Sequence, residues 1–506
     1  MRAALALHRD RLAEAEPLLR ACLRSDPFDV AAIRLMAELA ARLGRLDDAE
    51  TLLRRTLELA PGFGAARINL ATVLLRRNRP TEALEMLDSL DLAHDEDNPN
   101  LRAALHGRLG DFTEAAALYA ATLARFPDTP KVWLSYGHVL KTIGRFDEAV
   151  AAYRRALALA PAFGEAWWSL ANLKTLRFAD EDREAMEVAL ARGGLAAEDR
   201  FHLEFALARA LEDAGEHAAA FARYAAANAH RRALVRYDAA DTTRRAARMA
   251  ECFDAAYWAA HDGGCPAPDP IFIVGLPRAG STLIEQILAS HSQVEAITEL
   301  PDIPELWGRL GDDRFNQARG LDAAARGAIG AEYLRRIAPQ RRTDRPFFID
   351  KLPNNWLYIG FIKAILPRAK IIDARRHPLS AGIANFRQHF ARGQHFTYDL
   401  ADLGHYYRDY VALTAHFDAV LPGAVHRVSY ERMVEDSERE IRALLGALAL
   451  PFEPGCLAFH ATERPVRTPS SEQVRSPIYR EGTANWQPYA AWLGPLRAAL
   501  GDLDQS

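Results

Sequence analysis

The stretch "IFIVGLPRAGSTLIEQIL", residues 271–288, decides the architecture of the second half of this 506-residue chain. An apolar run from Ile271 to Val274 ends at Gly275. Gly280, Ser281 and Thr282 follow, and apolar residues then recur at helical spacing. That order predicts a buried strand, a glycine turn and a helix whose first backbone N–H groups cradle an anion. The nucleoside-triphosphate loop G-x-x-x-x-G-K-[ST] has the same two glycines and terminal hydroxyl, but needs a lysine where Ser281 stands. A ligand with several anionic groups and no triphosphate fits better. Arg278 adds a permanent positive charge to the loop.

Outward from this loop the same grammar repeats. Short apolar runs "FFID" (347–350), "KIIDA" (370–374) and "HRVSY" (426–430) alternate with helical patterns near 281–290, 355–365, 379–391 and 437–448. Strands spaced by helices predict crossover units and a largely parallel sheet. Ligands of such sheets lie beyond the carboxyl ends of the strands. Lys351 follows the second run, Arg375 and Arg376 the third, and Tyr430 ends the fourth. A cationic or hydroxyl group thus stands at every strand end. A triphosphate enzyme would also want an acid there to hold magnesium. Asp350 and Asp373 are placed for it, but a cation follows each closely.

The first half repeats itself. Ala15, Ala49, Ala83, Ala115 and Ala149 open amphipathic segments at spacings of 34, 34, 32 and 34 residues. Gly44, Gly110 and Gly144 occupy the preceding turn, with Asn78 in one unit, and Pro27, Pro61, Pro127 and Pro161 close units on the same frame. Glycine and asparagine accept a left-handed turn and proline cannot continue a helix. This resembles the tetratricopeptide repeat, in which helix pairs stack because each leaves an apolar face that only a neighbour buries. A degenerate unit around Gly215 and Ala220 carries the pattern to about residue 230, while 174–200 fits it poorly. The turn-rich "HDGGCPAPDP" (261–270) marks the change of grammar. The expected division is a helical solenoid over 1–235, a connection over 236–267 and an α/β domain over 268–506.

Composition narrows the function. A formal charge of −4 argues against a general nucleic-acid binder. The four cysteines, Cys22, Cys252, Cys265 and Cys456, form no C-x-x-C pair, which argues against a zinc knuckle or a disulfide scaffold. No apolar run reaches the roughly 18 residues of a membrane span. Charged residues from His8 to Arg11 interrupt the N-terminal apolar segment, so a cytoplasmic location is the expectation.

The loop "GLPRAGSTLIEQIL" resembles the 5′-phosphosulfate loop of sulfotransferases that use 3′-phosphoadenosine 5′-phosphosulfate (PAPS), and "ARRHPLSAGIANF" resembles their 3′-phosphate segment. "SYERMVED" is similar to a Tyr-Glu strand end of that fold. "RTPSSEQVRSPIYREGTANWQPY" is similar to the C-terminal segment of the branch containing protein-tyrosine sulfotransferases and bacterial tetratricopeptide fusions. The resemblance covers about 268–495 and implies a P-loop-like α/β fold, PAPS as co-substrate and no metal. By position it implies Glu299, 21 residues after Arg278, as general base. Lys351, Ser470 and Arg278 become the stabilisers of the leaving group. It further implies donor contacts from Arg278, Ala279, Gly280, Ser281, Thr282, Arg376, Tyr430, Ser470, Gln473, Val474, Arg475 and Tyr479. Two positions depart from the pattern: Ala384 stands where a phosphate-binding serine is usual, and Gln388 where an arginine is usual. Three outcomes are open here: Ser380, one helical turn earlier on the same face, substitutes for the serine, Asn385 does so, or the affinity for PAPS is reduced; Arg387 neighbours the missing arginine. The acceptor is expected to be a hydroxyl, of a protein, saccharide or small molecule, with the solenoid recruiting substrate or partner. An adaptor with an inactive domain is the alternative.

Overall fold

The computed structural model describes residues 2–90, 99–173, 176–297, 299–390, 393–462, 464, 466, 472–478 and 482–505. The chain divides into two compact units, Met1–Leu159 and Ala160–Ser506.

The first unit is a run of paired helices, from Arg2–His8 and Leu12–Ser25 to Pro130–Thr142 and Phe146–Leu159. Ala15, Ala49, Ala83, Ala115 and Ala149 are all fully buried. A methyl group at these points lets the helices of a pair approach closely. The preceding turns are left-handed, with φ of 79° at Gly44, 57° at Asn78, 88° at Gly110 and 85° at Gly144. Asp10 takes the same conformation in the first pair, at φ 55°, and Asn and Asp are among the non-glycine residues that tolerate it best. Leu53, Leu70, Leu74, Leu87 and Leu105, contributed by four of the described helices, share one apolar cluster.

The second unit opens with further helices, including Gly164–Ala171, Ala197–Asp213 and His217–Leu234. The last two turn at Gly215, φ 79°, over a buried Ala220, as the repeat pattern predicts. Their packing partners lie far downstream. The Asn228 amide donates to the Phe386 carbonyl at 2.8 Å. The Phe221 ring stacks on Phe386 and on Trp492. His389 is enclosed by Trp168, Phe201, His202 and Phe205. These helices are therefore part of the compact unit that holds the sheet.

That sheet has five described strands: β1 Pro270–Gly275, β2 Val294–Ala296, β3 Phe347–Lys351, β4 Lys370–Arg375 and β5 Val425–Ser429. Their order is β2-β3-β1-β4-β5, and every neighbouring pair is parallel. The three-residue β2 had no signal of its own. The other four match the expected runs to within a residue or two. β1 is buried along its length, as a central strand covered on both faces must be. Ile271, Ile273, Ile349 and Ile372 join Ile284, Ile287 and Leu444 on one face of the sheet. Phe272, on the alternate face, meets Tyr333. From β1 the chain moves to one side for β2 and β3, and to the other for β4 and β5. The border between β1 and β4 is thus the topological switch point where such sheets bind ligands. The expected helices appear as Ser281–Ala289, Ile359–Ile365 after a 3₁₀ turn Pro353–Tyr358, Pro378–Phe386 and Ser437–Ala447. Among the described residues no helix is long and apolar enough to cross a membrane.

Candidate active site

The glycine loop fills the switch point. Gly275, at φ 138°, runs so close to β4 that a Cβ there would lie 2.5 Å from the Ala374 carbonyl oxygen. Arg278 and Gly280 are both left-handed, at φ 64° and 95°. These turns aim the loop at the first turn of the helix Ser281–Ala289, where Ser281 and Thr282 are buried. A Cβ on Gly280 would sit 2.9 Å from the Tyr430 ring. Two side chains from β4's downstream segment hold the loop: Arg376 donates to the Arg278 carbonyl at 3.0 Å, and Asn385 to the Pro277 carbonyl at 2.8 Å. Arg376 also donates to the Gly482 carbonyl and lies over the Tyr430 ring.

A cavity of about 260 Å³ opens beside the loop. Arg278, Gly280, Ser281 and Thr282 line one side, with Arg376, Ala384 and Tyr430 and, from the C-terminal segment, Gln473 and Val474. The Arg278 guanidinium reaches Gln473 at 3.3 Å. Nine of the residues expected at the donor site are thus brought to one cavity. Others are turned elsewhere. Ala279 is buried inside the loop. Ser380 donates to the Thr483 carbonyl at 2.8 Å and is absent from the lining, so its hydroxyl does not fill the place left by Ala384. Asn385 is spent on Pro277 and Ala381. Arg475 donates to the Arg464 carbonyl at 2.9 Å. Ser470 and Tyr479 lie outside the described residues.

The opposite wall was not foreseen. Trp168, Arg209, Glu212 and Tyr224, from the helices preceding the sheet, line the cavity together with Arg387 and Gln388. Glu212 accepts from the Tyr224 hydroxyl at 3.0 Å and from Arg387, and lies 3.5 Å from Arg209. Burial pushes the Arg387 guanidinium down to about 10, which leaves it a cation at neutral pH. No motif marks this wall: "ARALED" (208–213) reads as an ordinary helix surface with charges at ion-pair spacing.

At the end of β3, next to Ile273 of β1, Lys351 is only 3% exposed. Its ammonium donates to Glu299, whose side chain is 46% exposed. It also lies 3.9 Å from Glu285, one turn along the loop helix from Thr282. Arg464 holds the other oxygen of Glu285 at 3.2 Å. Burial pushes Lys351 down, but Glu299 and Glu285 outweigh it, so its pKa is raised and the charge is kept. A half-exposed carboxylate touching a buried cation can take a proton from solvent-side chemistry while the cation faces developing negative charge. Asp350 beneath is buried and accepts from the Tyr333 hydroxyl at 2.8 Å. Burial raises its pKa to about 8, so it adds no fixed charge below that pH. Asp373 is engaged by Arg375, Arg427 and Tyr410, and so serves the fold.

The site is thus a glycine loop at the switch point of a parallel sheet, in a cavity lined by arginines, with a Glu-Lys pair at the neighbouring strand end. Residues 270–454 match the sulfotransferase family, and residues 6–106 and 100–173 match the tetratricopeptide repeat. The chain therefore carries a sulfotransferase-family domain behind tetratricopeptide repeats. It is 30% identical over 398 residues to an uncharacterized protein of Aquifex aeolicus, covering 76% of this chain and 52% of that one. The chain spans about half the length of that relative. It is 26% identical over 272 residues to protein-tyrosine sulfotransferase 1 of Danio rerio, covering 46% of this chain and 71% of the relative. Among solved structures it is similar to the sulfotransferase domain from the Synechococcus PCC 7002 olefin synthase. That likeness has 20% identity and a TM-score of 0.34, and covers 45% of this chain and 89% of the other.

Proposed function

We propose that this chain transfers the sulfuryl group of PAPS to a hydroxyl acceptor, a protein tyrosine or another peptide hydroxyl, with the repeats recruiting substrate or partner. The observation that carries this reading is the contact between Glu299 and Lys351 at the end of β3, beside the anion cradle at the end of β1. The similarity to a protein-tyrosine sulfotransferase supports the acceptor class.

In this mechanism the loop N–H groups and Arg278 hold the 5′-phosphosulfate, and Arg376 faces the 3′-phosphate end. Glu299 accepts the proton of the acceptor hydroxyl as its oxygen bonds to sulfur. The bond from sulfur to the bridging oxygen of the 5′-phosphate breaks in the same in-line displacement. Lys351 and Arg278, with Ser470, neutralise the charge that builds on that oxygen. Donor and acceptor need mainly to be positioned, as in phosphoryl transfer. The test is incubation of the full chain with labelled PAPS and a cell extract, followed by mass spectrometry of the products. Sulfated tyrosine is the expected product. Failure of PAPS and of its desulfated product to bind in calorimetry would sink the reading. Ala384, which offers no polar side chain to the cavity, favours a second reading, an adaptor with a weak transferase domain. Tight donor binding without turnover would support it.

A further inference from the structure

The charges lining the cavity are unbalanced. Arg209, Arg278, Arg376 and Arg387 face a single carboxylate, Glu212, among the described lining residues. Arg278 belongs to the loop. The other three line the same cavity as Ala384, which provides only a methyl group, and Gln388, whose amide donates to Asn172 at 3.0 Å and to the His389 carbonyl at 3.0 Å. Arg376 already spends two nitrogens on the Arg278 and Gly482 carbonyls. Arg387 is pressed against Glu212, and its buried Nε has no hydrogen-bond partner. Arg209 is 20% exposed; Asp213 takes its Nε and one terminal nitrogen at 3.2 and 2.8 Å, and Glu212 lies 3.5 Å from the other terminal nitrogen, so the guanidinium is held in place at the cavity wall. An excess of guanidiniums over carboxylates around one cavity favours an anionic ligand there, and a guanidinium fork suits a phosphate.

We propose that Arg209 is a donor-binding residue, its guanidinium contacting the 3′-phosphate of the nucleotide in the place of the hydroxyl that Ala384 lacks. The inference rests on the PAPS reading above. It makes the helix Ala197–Asp213 part of the nucleotide site, so the helices ahead of the sheet recognise donor as well as joining the fold. A 3′,5′-bisphosphorylated nucleoside is the ligand class, and discrimination against a nucleotide without a 3′-phosphate is the function.

Calorimetry on the full chain tests this with 3′-phosphoadenosine 5′-phosphate and with 5′-AMP. The wild-type protein is expected to prefer the bisphosphate. Arg209→Gln should weaken the bisphosphate by about ten- to a hundredfold, the worth of a hydrogen bond to a charged group, and leave 5′-AMP within twofold. Arg209→Lys, which keeps the charge and loses the fork, should fall between. It serves as the test if Arg209→Gln fails to fold. Adding Ala384→Ser to the weakened variant should recover part of the loss. If the wild-type protein binds neither nucleotide, the PAPS reading fails and this one with it. If it binds the bisphosphate and the Arg209 variants keep its preference, or lose both nucleotides equally, this inference alone is overturned.

Discussion

Replacing Lys351 with methionine separates its structural part from its chemical one. The ammonium is 3% exposed and faces two carboxylates. Glu299 is half in water and can be solvated once the lysine is gone. Glu285 is 4% exposed, and its Oε2 has no hydrogen-bond partner even with the lysine present. Removing one member of a buried ion pair costs roughly 3–5 kcal/mol, mostly the penalty of the charge left behind. Arg464 still faces Glu285 at 3.2 Å, so the expected loss is at the low end, about 3 kcal/mol. The double variant Lys351→Met with Glu285→Gln removes the stranded carboxylate but leaves Arg464 facing a neutral amide, so it should recover part of the loss, about 1–2 kcal/mol. Urea unfolding followed by tryptophan fluorescence is a suitable assay, because seven of the eight tryptophans lie after residue 160. Both variants should be inactive, since neither restores the cation. A Lys351→Met protein as stable as wild type, or a double variant no better than the single, would refute the electrostatic account of this pair.

Asp350 should impose a pH dependence on stability. Its folded pKa is raised to about 8 by burial, so over the window from about 4 to 8 the folded state holds a proton that the unfolded state has released. Stability therefore falls as pH rises through that window, by up to about 1.4 kcal/mol per unit. Asp350→Asn, which keeps an acceptor for Tyr333, should flatten the melting temperature between pH 6 and 8. An unchanged slope would contradict this. The glycines differ in a way that substitution can read. Gly423→Ala, at φ 77° with nothing within 4 Å, should cost only the left-handed backbone term of about 1–2 kcal/mol. Gly275→Ala adds a 2.5 Å contact with the β4 backbone; it should be several times more destabilising and abolish nucleotide binding. Equal melting temperatures for the two would argue against the tight passage of β1 past β4.

The solenoid and the sheet were legible because each has a local signature. Alanine, glycine and proline recur on one frame in the first, and apolar runs end in cations in the second. β2 escaped because three residues, Val294 to Ala296, carry no period; its pairing with β3 alone makes it a strand. The helices Ala197–Asp213 and His217–Leu234 read as a further, degenerate repeat, since Gly215 and Ala220 occupy repeat positions. What places them is contact with Phe386, His389 and Trp492, more than 150 residues downstream for the first two and farther for the third. For the same reason Arg209 and Glu212 were invisible as site residues. The loop, Arg376 and Tyr430 were readable because strand ends converge at a switch point. Ser380 was misleading: helical spacing gives its face, but only the structure shows its hydroxyl bonded to the Thr483 carbonyl.

The central claim is that Glu299 and the glycine loop form one sulfuryl-transfer site. Its most direct test is Glu299→Gln, assayed for turnover of labelled PAPS and, in parallel, for calorimetric binding of 3′-phosphoadenosine 5′-phosphate. Loss of the general base should lower kcat by about 10²–10⁴-fold while the dissociation constant stays within twofold, because Glu299 does not line the cavity beside the glycine loop. A variant that keeps wild-type turnover would contradict the account.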